Sequence, residues 1–277
     1  MAVLVGLLVA ASFGSGDFLG GLASRRDSTL TVLAWAQLAA LGGALIVALI
    51  WGGPLTANAV LLGAGAGLLN MMALGCLFQG LAIGQIGQVA PAAAVIGAVL
   101  PVAWGLAIGE RPPALALVGV GLAVLAAALI SAEKDEQRPE GARAALVLAV
   151  LAGIGFGTSF ILFADSSHHR GFWPVLSARV AAVIGVWLIV LVRGAPKTLA
   201  APTRRLAASA GVLDVAATTL LIVAVRTGLT AVVAPVASLA PGFTVMHAWW
   251  YLHEKVSRQQ TVGLGLALVG LSLIAIS

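Results

Sequence analysis

Charge is what this sequence has least of. Only 9% of its 277 residues are Asp, Glu, Lys or Arg, against about 25% in a water-soluble domain. So few charges cannot cover a surface that faces water, and a bilayer is the solvent that remains. Cysteine is nearly absent too. Cys76 stands alone inside an apolar run, which excludes a disulfide framework and a cysteine metal cluster. No Lys or Arg precedes the first apolar run. A cleaved secretory signal needs a positive stretch there, so the run is expected to stay as a helix. A glycine-rich phosphate loop ending in Gly-Lys is missing, as are HExxH, GxSxG and any cluster of metal ligands. The chain thus lacks the residues with which an ATPase, a metallopeptidase or a serine hydrolase works. No cofactor and no metal are expected. Energy for moving a solute would come from a gradient or from a partner.

What the sequence has instead is apolar residues, 61% of the total, gathered into about ten runs parted by short polar breaks. A helix needs about 20 apolar residues to cross a bilayer. The runs fall at 2–22, 29–51, 59–82, 85–108, 113–131, 144–164, 172–192, 206–226, 229–252 and 258–276. They are too long and too evenly apolar for barrel strands. The fold class expected is an all-α integral membrane protein of ten transmembrane helices. The net charge of +5 does not point to nucleic acid, because the basic residues sit in the breaks, where they set topology. Breaks after odd-numbered runs hold Arg25, Arg26, Lys134, Arg138, Arg143, Arg193, Lys197, Arg204, Arg205, Lys255 and Arg258. Those after even-numbered runs hold only Arg111, Arg170 and Arg226. The bias places the odd breaks in the cytoplasm and both termini outside, in a multi-pass protein of a plasma or inner membrane.

The most informative pattern occurs twice, from Gly84 to Arg111 and again from Gly228 to Lys255. Laying Pro91 on Pro235 sets a shift of 144, at which Gly84 meets Gly228, Ala93 meets Ala237 and Glu110 meets Glu254. At the same shift Asn70 falls on Asp214, Gly67 on Gly211, and Gly119 and Gly121 on Gly263 and Gly265. Nearer the start the shift drops by a few residues, putting Gln37 on Arg179 and Gly14 and Gly16 on Gly155 and Gly157. The chain reads as two five-helix repeats, 1–132 and 144–277, joined by a linker at 133–143. An odd number of helices per repeat makes the copies enter the membrane from opposite sides, the inverted-repeat plan of many transporters. Chance likeness among alanine- and glycine-rich helices is the alternative.

Ionisable groups inside the spans are the sharpest chemical signal. An Asp or Arg at a helix centre opposes insertion by about 2.5–3.5 kcal/mol, and Asp17, Arg179 and Asp214 all lie well inside their runs. They either line a polar cavity that meets substrate or a coupling proton, or pair with one another to fix helix packing. Gln37, Asn70, Gln79, Gln85, Gln88, Thr158, Ser159, Thr218 and Thr219 form a second polar layer. Any of these could instead only bond a neighbouring helix. Gln37 and Asn70 stand out because their repeat mates are charged. Trp35 and Trp104 are the deeper tryptophans, placed to stack on a substrate. Pro91, Pro101, Pro235 and Pro241 sit inside runs and each frees a carbonyl. Pro91 and Pro235, one per half, are the kink or gate candidates.

The duplicated Ala90-Pro91 and Ala234-Pro235, the closing pairs Glu110-Arg111 and Glu254-Lys255 and the Gly-x-Gly helices after them form an ordered set. In these the chain resembles the drug/metabolite transporter superfamily, in particular its ten-helix EamA branch. The resemblance covers essentially the whole chain. It implies a ten-helix bundle of inverted repeats around a central cavity. It also implies transport of small metabolites, commonly export of amino acids or related compounds. Small four-helix relatives use a membrane carboxylate in helix 1 for proton and cation exchange, and Asp17 occupies a comparable helix. The partners expected are thus a small-molecule substrate and the lipid bilayer, with a monomer sufficient and a dimer allowed. A membrane-embedded enzyme or an uncoupled channel are the competing readings.

Overall fold

The computed structural model describes residues 2–53, 55–107, 109, 113–132, 141–166, 172–226, 239–253 and 258–276. These form helices α1 (Ala2–Ser24), α2 (Thr29–Trp51), α3 (Ala57–Ile83), α4 (Ile86–Ala107), α5 (Ala114–Ala132), α6 (Ala142–Ser166), α7 (Trp173–Val192), α8 (Ala201–Arg226), α9 (Ala240–Leu252) and α10 (Arg258–Ala275). No strand occurs among the described residues. Six of the helices, α1 to α4, α6 and α7, are long and apolar enough to cross a bilayer. Most boundaries lie within a few residues of those read from hydropathy. The exception with a clear cause is α8, which starts at Ala201 rather than 206. Arg204 and Arg205 had marked that stretch as a polar break, but both ride as exposed side chains on a helix already formed. Arginine is a good helix former, so a charge ends the apolar run without ending the helix. For the ninth run only Ala240–Leu252 is described as helix; the linker's 133–140 and both acid–base pairs also lie outside the described residues.

The helix starts follow local chemistry. Thr56 caps α3 by accepting from the Ala59 N–H at 3.3 Å, and Pro174 sits in the first turn of α7. A proline there has no lost hydrogen bond to compensate. Pro241 falls in the first turn of α9 as described; the stretch just before Leu239 lies outside the described residues.

Apolar residues point outward as much as inward. Leu49, Val192 and Trp250 are 78%, 77% and 76% exposed, which suits lipid and not water. Inside, the helices meet through small residues. The buried stripe of α2 is Ala36, Ala40, Ala44 and Ala48 at four-residue spacing, one face of a helix. Gly67 of α3 lies so close to Ala178 of α7 that a Cβ would strike its backbone, and Gly211 of α8 is held the same way against Ala36 of α2. Such contacts let backbones approach where lipid gives little hydrophobic drive between helices.

The packing partners are α3 with α6 and α7, α8 with α1 and α2, α4 with α6, α1 with α9, and the pairs α2–α7, α4–α9 and α5–α10. The connections gather on two faces. On one, Arg25 donates from Nε to the Leu81 carbonyl at 3.0 Å and from Nη2 to that of Gly84 at 3.1 Å. Thr31 donates to the Pro196 carbonyl at 2.5 Å on the same face. On the other, the Phe172 N–H donates to Gly52 O at 3.0 Å and Trp173 Nε1 to Gly53 O at 2.7 Å. The α1–α2, α3–α4 and α7–α8 turns therefore share one face, and the α2–α3 and α6–α7 turns share the opposite one.

Candidate functional site

Between the helices lies a cavity of about 480 Å³, within the usual range of ligand pockets. Most of its wall is apolar. Phe13 comes from α1, Leu74 and Leu77 from α3, and Ala90, Ala93, Ala94 and Ala98 from α4, with Phe156 and Phe160 from α6. Among the described residues six polar ones interrupt that wall: Asp17, Asn70, Ser159, Arg179, Asp214 and Thr218. Each stands on a different turn of a different helix or, for Asp214 and Thr218, on successive turns of α8.

Arg179 is the hub. It belongs to the buried face of α7 and is 6% exposed. Its Nη2 stands 2.5 Å from Asp214 Oδ2, and its Nη1 donates to Gln37 Oε1 at 3.3 Å. The contact with Asp214 has ion-pair distance but not hydrogen-bond alignment, so Oδ2 is both paired by charge and left without a hydrogen bond. The charge contact holds all the same, because Coulomb attraction at this separation does not need alignment. Thr218 donates to the Asp214 carbonyl one turn back at 2.9 Å, which spends its proton and leaves its oxygen to accept from the cavity. Ser159 is used in the same way, donating to the Ala66 carbonyl of α3 at 2.8 Å. Among the described residues, no side chain hydrogen-bonds or ion-pairs with the Asp17 carboxylate. Of the two acids that line the wall among the described residues, it is the one with no such partner there.

Of the polar residues singled out in the sequence, Asp17, Asn70, Ser159, Arg179, Asp214 and Thr218 come together at this cavity. Gln37 lies just behind it, lining a small void with Asp17 and Asp214. Four others do not reach it. Gln79 accepts from the Thr29 hydroxyl at 2.5 Å and ties α3 to α2. Gln88 is buried in the first turn of α4, outside the cavity wall. Trp104 is 52% exposed on the outer surface. Trp35 donates from Nε1 to the Lys197 carbonyl at 3.3 Å, meets Trp187 edge to face at 6.4 Å and lies under the Arg204 guanidinium at 5.6 Å. Both tryptophans had been read as deep enough to stack on a substrate. Depth along a helix does not fix which way a side chain points, and theirs point to the periphery. Pro91 is buried in α4 beside the lining residue Ala90; Pro235 lies outside the described residues. The sequence reading missed the aromatic wall of Phe13, Phe156 and Phe160. The signal was there: Phe13 precedes Asp17 by four, and Phe156 and Phe160 flank Ser159 on one helix face.

Among curated proteins none matches the chain. Residues 143–276 match the model of the EamA-like transporter family, which is the half that carries Arg179 and Asp214. Over residues 143–276 the chain belongs to the EamA-like transporter family, small-molecule transporters of the drug/metabolite transporter superfamily that lie in the membrane as many-helix proteins.

Proposed function

We propose that the protein is a secondary transporter that carries a small metabolite, an amino acid or a related compound, outward by alternating access around the cavity of Asp17, Arg179 and Asp214. The observation that carries this reading is charge in the interior. Three ionisable groups at one enclosed site oppose insertion by roughly 8–10 kcal/mol before pairing, and a protein needing only a stable bundle would place leucine there. The cavity presents both signs of charge and an aromatic wall, which suits a zwitterion with an apolar side chain. Asp17, the acid without a partner among the described residues, is the group to hold an ammonium or a coupling proton.

The movement we infer is that of two inverted repeats, 1–132 and 144–277, rocking against each other. Several contacts support the pairing of the halves. Exchanging each helix for the one five places on turns the α3–α6 and α3–α7 contacts into α8–α1 and α8–α2, both of which occur. Gly67 against Ala178 becomes Gly211 against Ala36, which also occurs. Gln37 and Arg179, mates at a shift of 142, touch each other, as two equivalent residues do when both lie on the axis relating the halves. For α1 and α6 the contacts favour a shift of 143 over the 141 suggested by glycine matching. Gly16 lies against the Ala210 carbonyl and Ser159 bonds the carbonyl of Ala66, the mate of Ala210. The basic connections on one face favour a cytoplasmic location for that face and an outside location for the termini, in a plasma or inner membrane.

The test is a proteoliposome counterflow panel of amino acids, amines and cationic drugs, with and without a pH gradient. Saturable exchange of one class is expected in the wild type. Asp214→Asn and Arg179→Ala are expected to abolish it while still inserting. Wild-type flux in both variants would make the pair structural, and flux that never saturates would favour a channel.

A further inference from the structure

Behind the cavity, where α1, α2, α3 and α8 cross, lies a second void of about 10 Å³. Its walls include the small residues Gly16, Ala36, Ala40 and Gly211 and three polar ones, Asp17, Gln37 and Asp214. Gln37 is 1% exposed. The orientation of its amide is imposed by chemistry: Arg179 has donors only, so the amide must turn its oxygen to Nη1. Its Nε2 is then left buried without a partner, and Asp214 Oδ2 is likewise buried without a hydrogen bond. The Asp17 carboxylate completes a set of three groups that border one small space and carry no hydrogen bond among the described residues, Asp214 Oδ2 having only its ion-pair contact with Arg179.

We infer that this void is the binding site of one water molecule, which accepts from Gln37 Nε2 and donates to the Asp17 carboxylate and to Asp214 Oδ2. Three arguments converge. The volume matches the roughly 10–15 Å³ that a single water requires. Buried waters make about three hydrogen bonds to groups that would otherwise be unsatisfied, and one donor with two acceptors is a set that one water satisfies in full. A metal cation is disfavoured, because the amide presents N–H rather than oxygen to the space, and a dry void would need apolar walls. The water joins Asp17 on α1 to Gln37 on α2 and, through the ion pair, to α7 and α8. The carboxylate that faces the cavity is thereby held from behind by both halves of the chain. Gln37 is a positioning residue in this arrangement, orienting Arg179 with one end of its amide and the water with the other.

The inference concerns the seam and does not depend on the cargo, so a failed flux panel leaves it standing. Its test is an experimental map of the wild type, detailed enough to show buried waters, beside one of Gln37→Leu. A solvent peak within hydrogen-bond distance of Gln37 Nε2 and both carboxylates is expected in the wild type and is expected to vanish in the variant with the helix packing unchanged. Gln37→Met, which keeps the length and lacks the amide, serves equally if the leucine variant does not assemble. Three results would overturn the proposal: a wild-type map with buried waters elsewhere and none here, Nε2 bonded directly to Asp17, or a peak that persists when the amide is gone.

Discussion

Arg179 shows how much one side chain can be asked to do inside a bilayer. Its guanidinium is shared between a carboxylate of α8 and an amide of α2, so it binds three helices while bordering the cavity. Removing one member of such a pair strands the other, a loss of about 3–5 kcal/mol, whereas replacing both by apolar residues of similar volume is close to neutral. We predict that Arg179→Met lowers the thermal midpoint of the purified protein in detergent and that adding Asp214→Leu restores most of the loss. Transport is expected to be absent in both. Recovery of stability without recovery of flux separates the packing role of the pair from its role toward substrate; equal midpoints in single and double variants would contradict the coupling. Asp17→Asn is the complementary case. With no protein side chain to strand among the described residues, it is expected to lower the midpoint less than Arg179→Met does and to remove flux in the counterflow assay. How legible these residues were depended on charge. Asp17, Arg179 and Asp214 announce themselves because an ion in oil requires a reason. Gln79 and Gln88 did not separate from Gln37 in the sequence, because a neutral amide has the same appearance whether it ties two helices or serves a site.

Helices in this chain meet by letting backbones touch. Gly67 against Ala178 and Gly211 against Ala36 leave no room for a side chain, while Gly121 faces open space on α5. A leucine at 67 or at 211 is therefore expected to prevent correct assembly, read as loss of a monodisperse peak in detergent chromatography. A leucine at 121 is expected to leave the peak in place. Equal damage from all three would overturn the contact explanation, since the intrinsic gain in helix propensity from removing a glycine is the same at each, about 1 kcal/mol, and favours the helix. The existence of the helices was legible because runs of about 20 apolar residues have few other fates. Their ends were less so. Arg204 and Arg205 lie on α8 and not before it, because hydropathy records where lipid ends, and a helix can continue beyond that level into the interface.

At the scale of the whole molecule, the connections sort onto two faces through hydrogen bonds between distant turns, such as Arg25 to Leu81 and Gly84 on one face and Trp173 to Gly53 on the other. Arg25, Arg193 and Lys197 belong to connections on the first face, and Arg204 and Arg205 stand on the first turns of α8 beside it. If that face is cytoplasmic, a reporter fused after Ser277 is expected to act outside the cytoplasm. Activity of a cytoplasmic-only reporter at that position would reverse the orientation and with it the sense of the proposed export.

By itself the sequence determined the solvent, the helical class and the family, because each rests on composition or on short ordered motifs that survive without knowing any neighbour. It also marked the three ionisable residues, since the cost of burying charge depends on the residue and the bilayer alone. Only the tertiary structure decided who meets whom. Gln37 and Arg179 stand 142 residues apart, and the periodicity of a helix tells which residues share a face but not what that face is packed against. The same limit separates the phenylalanines of the cavity from the tryptophans of the rim: the direction of a side chain about its helix becomes a fact of function when the other helices are in place.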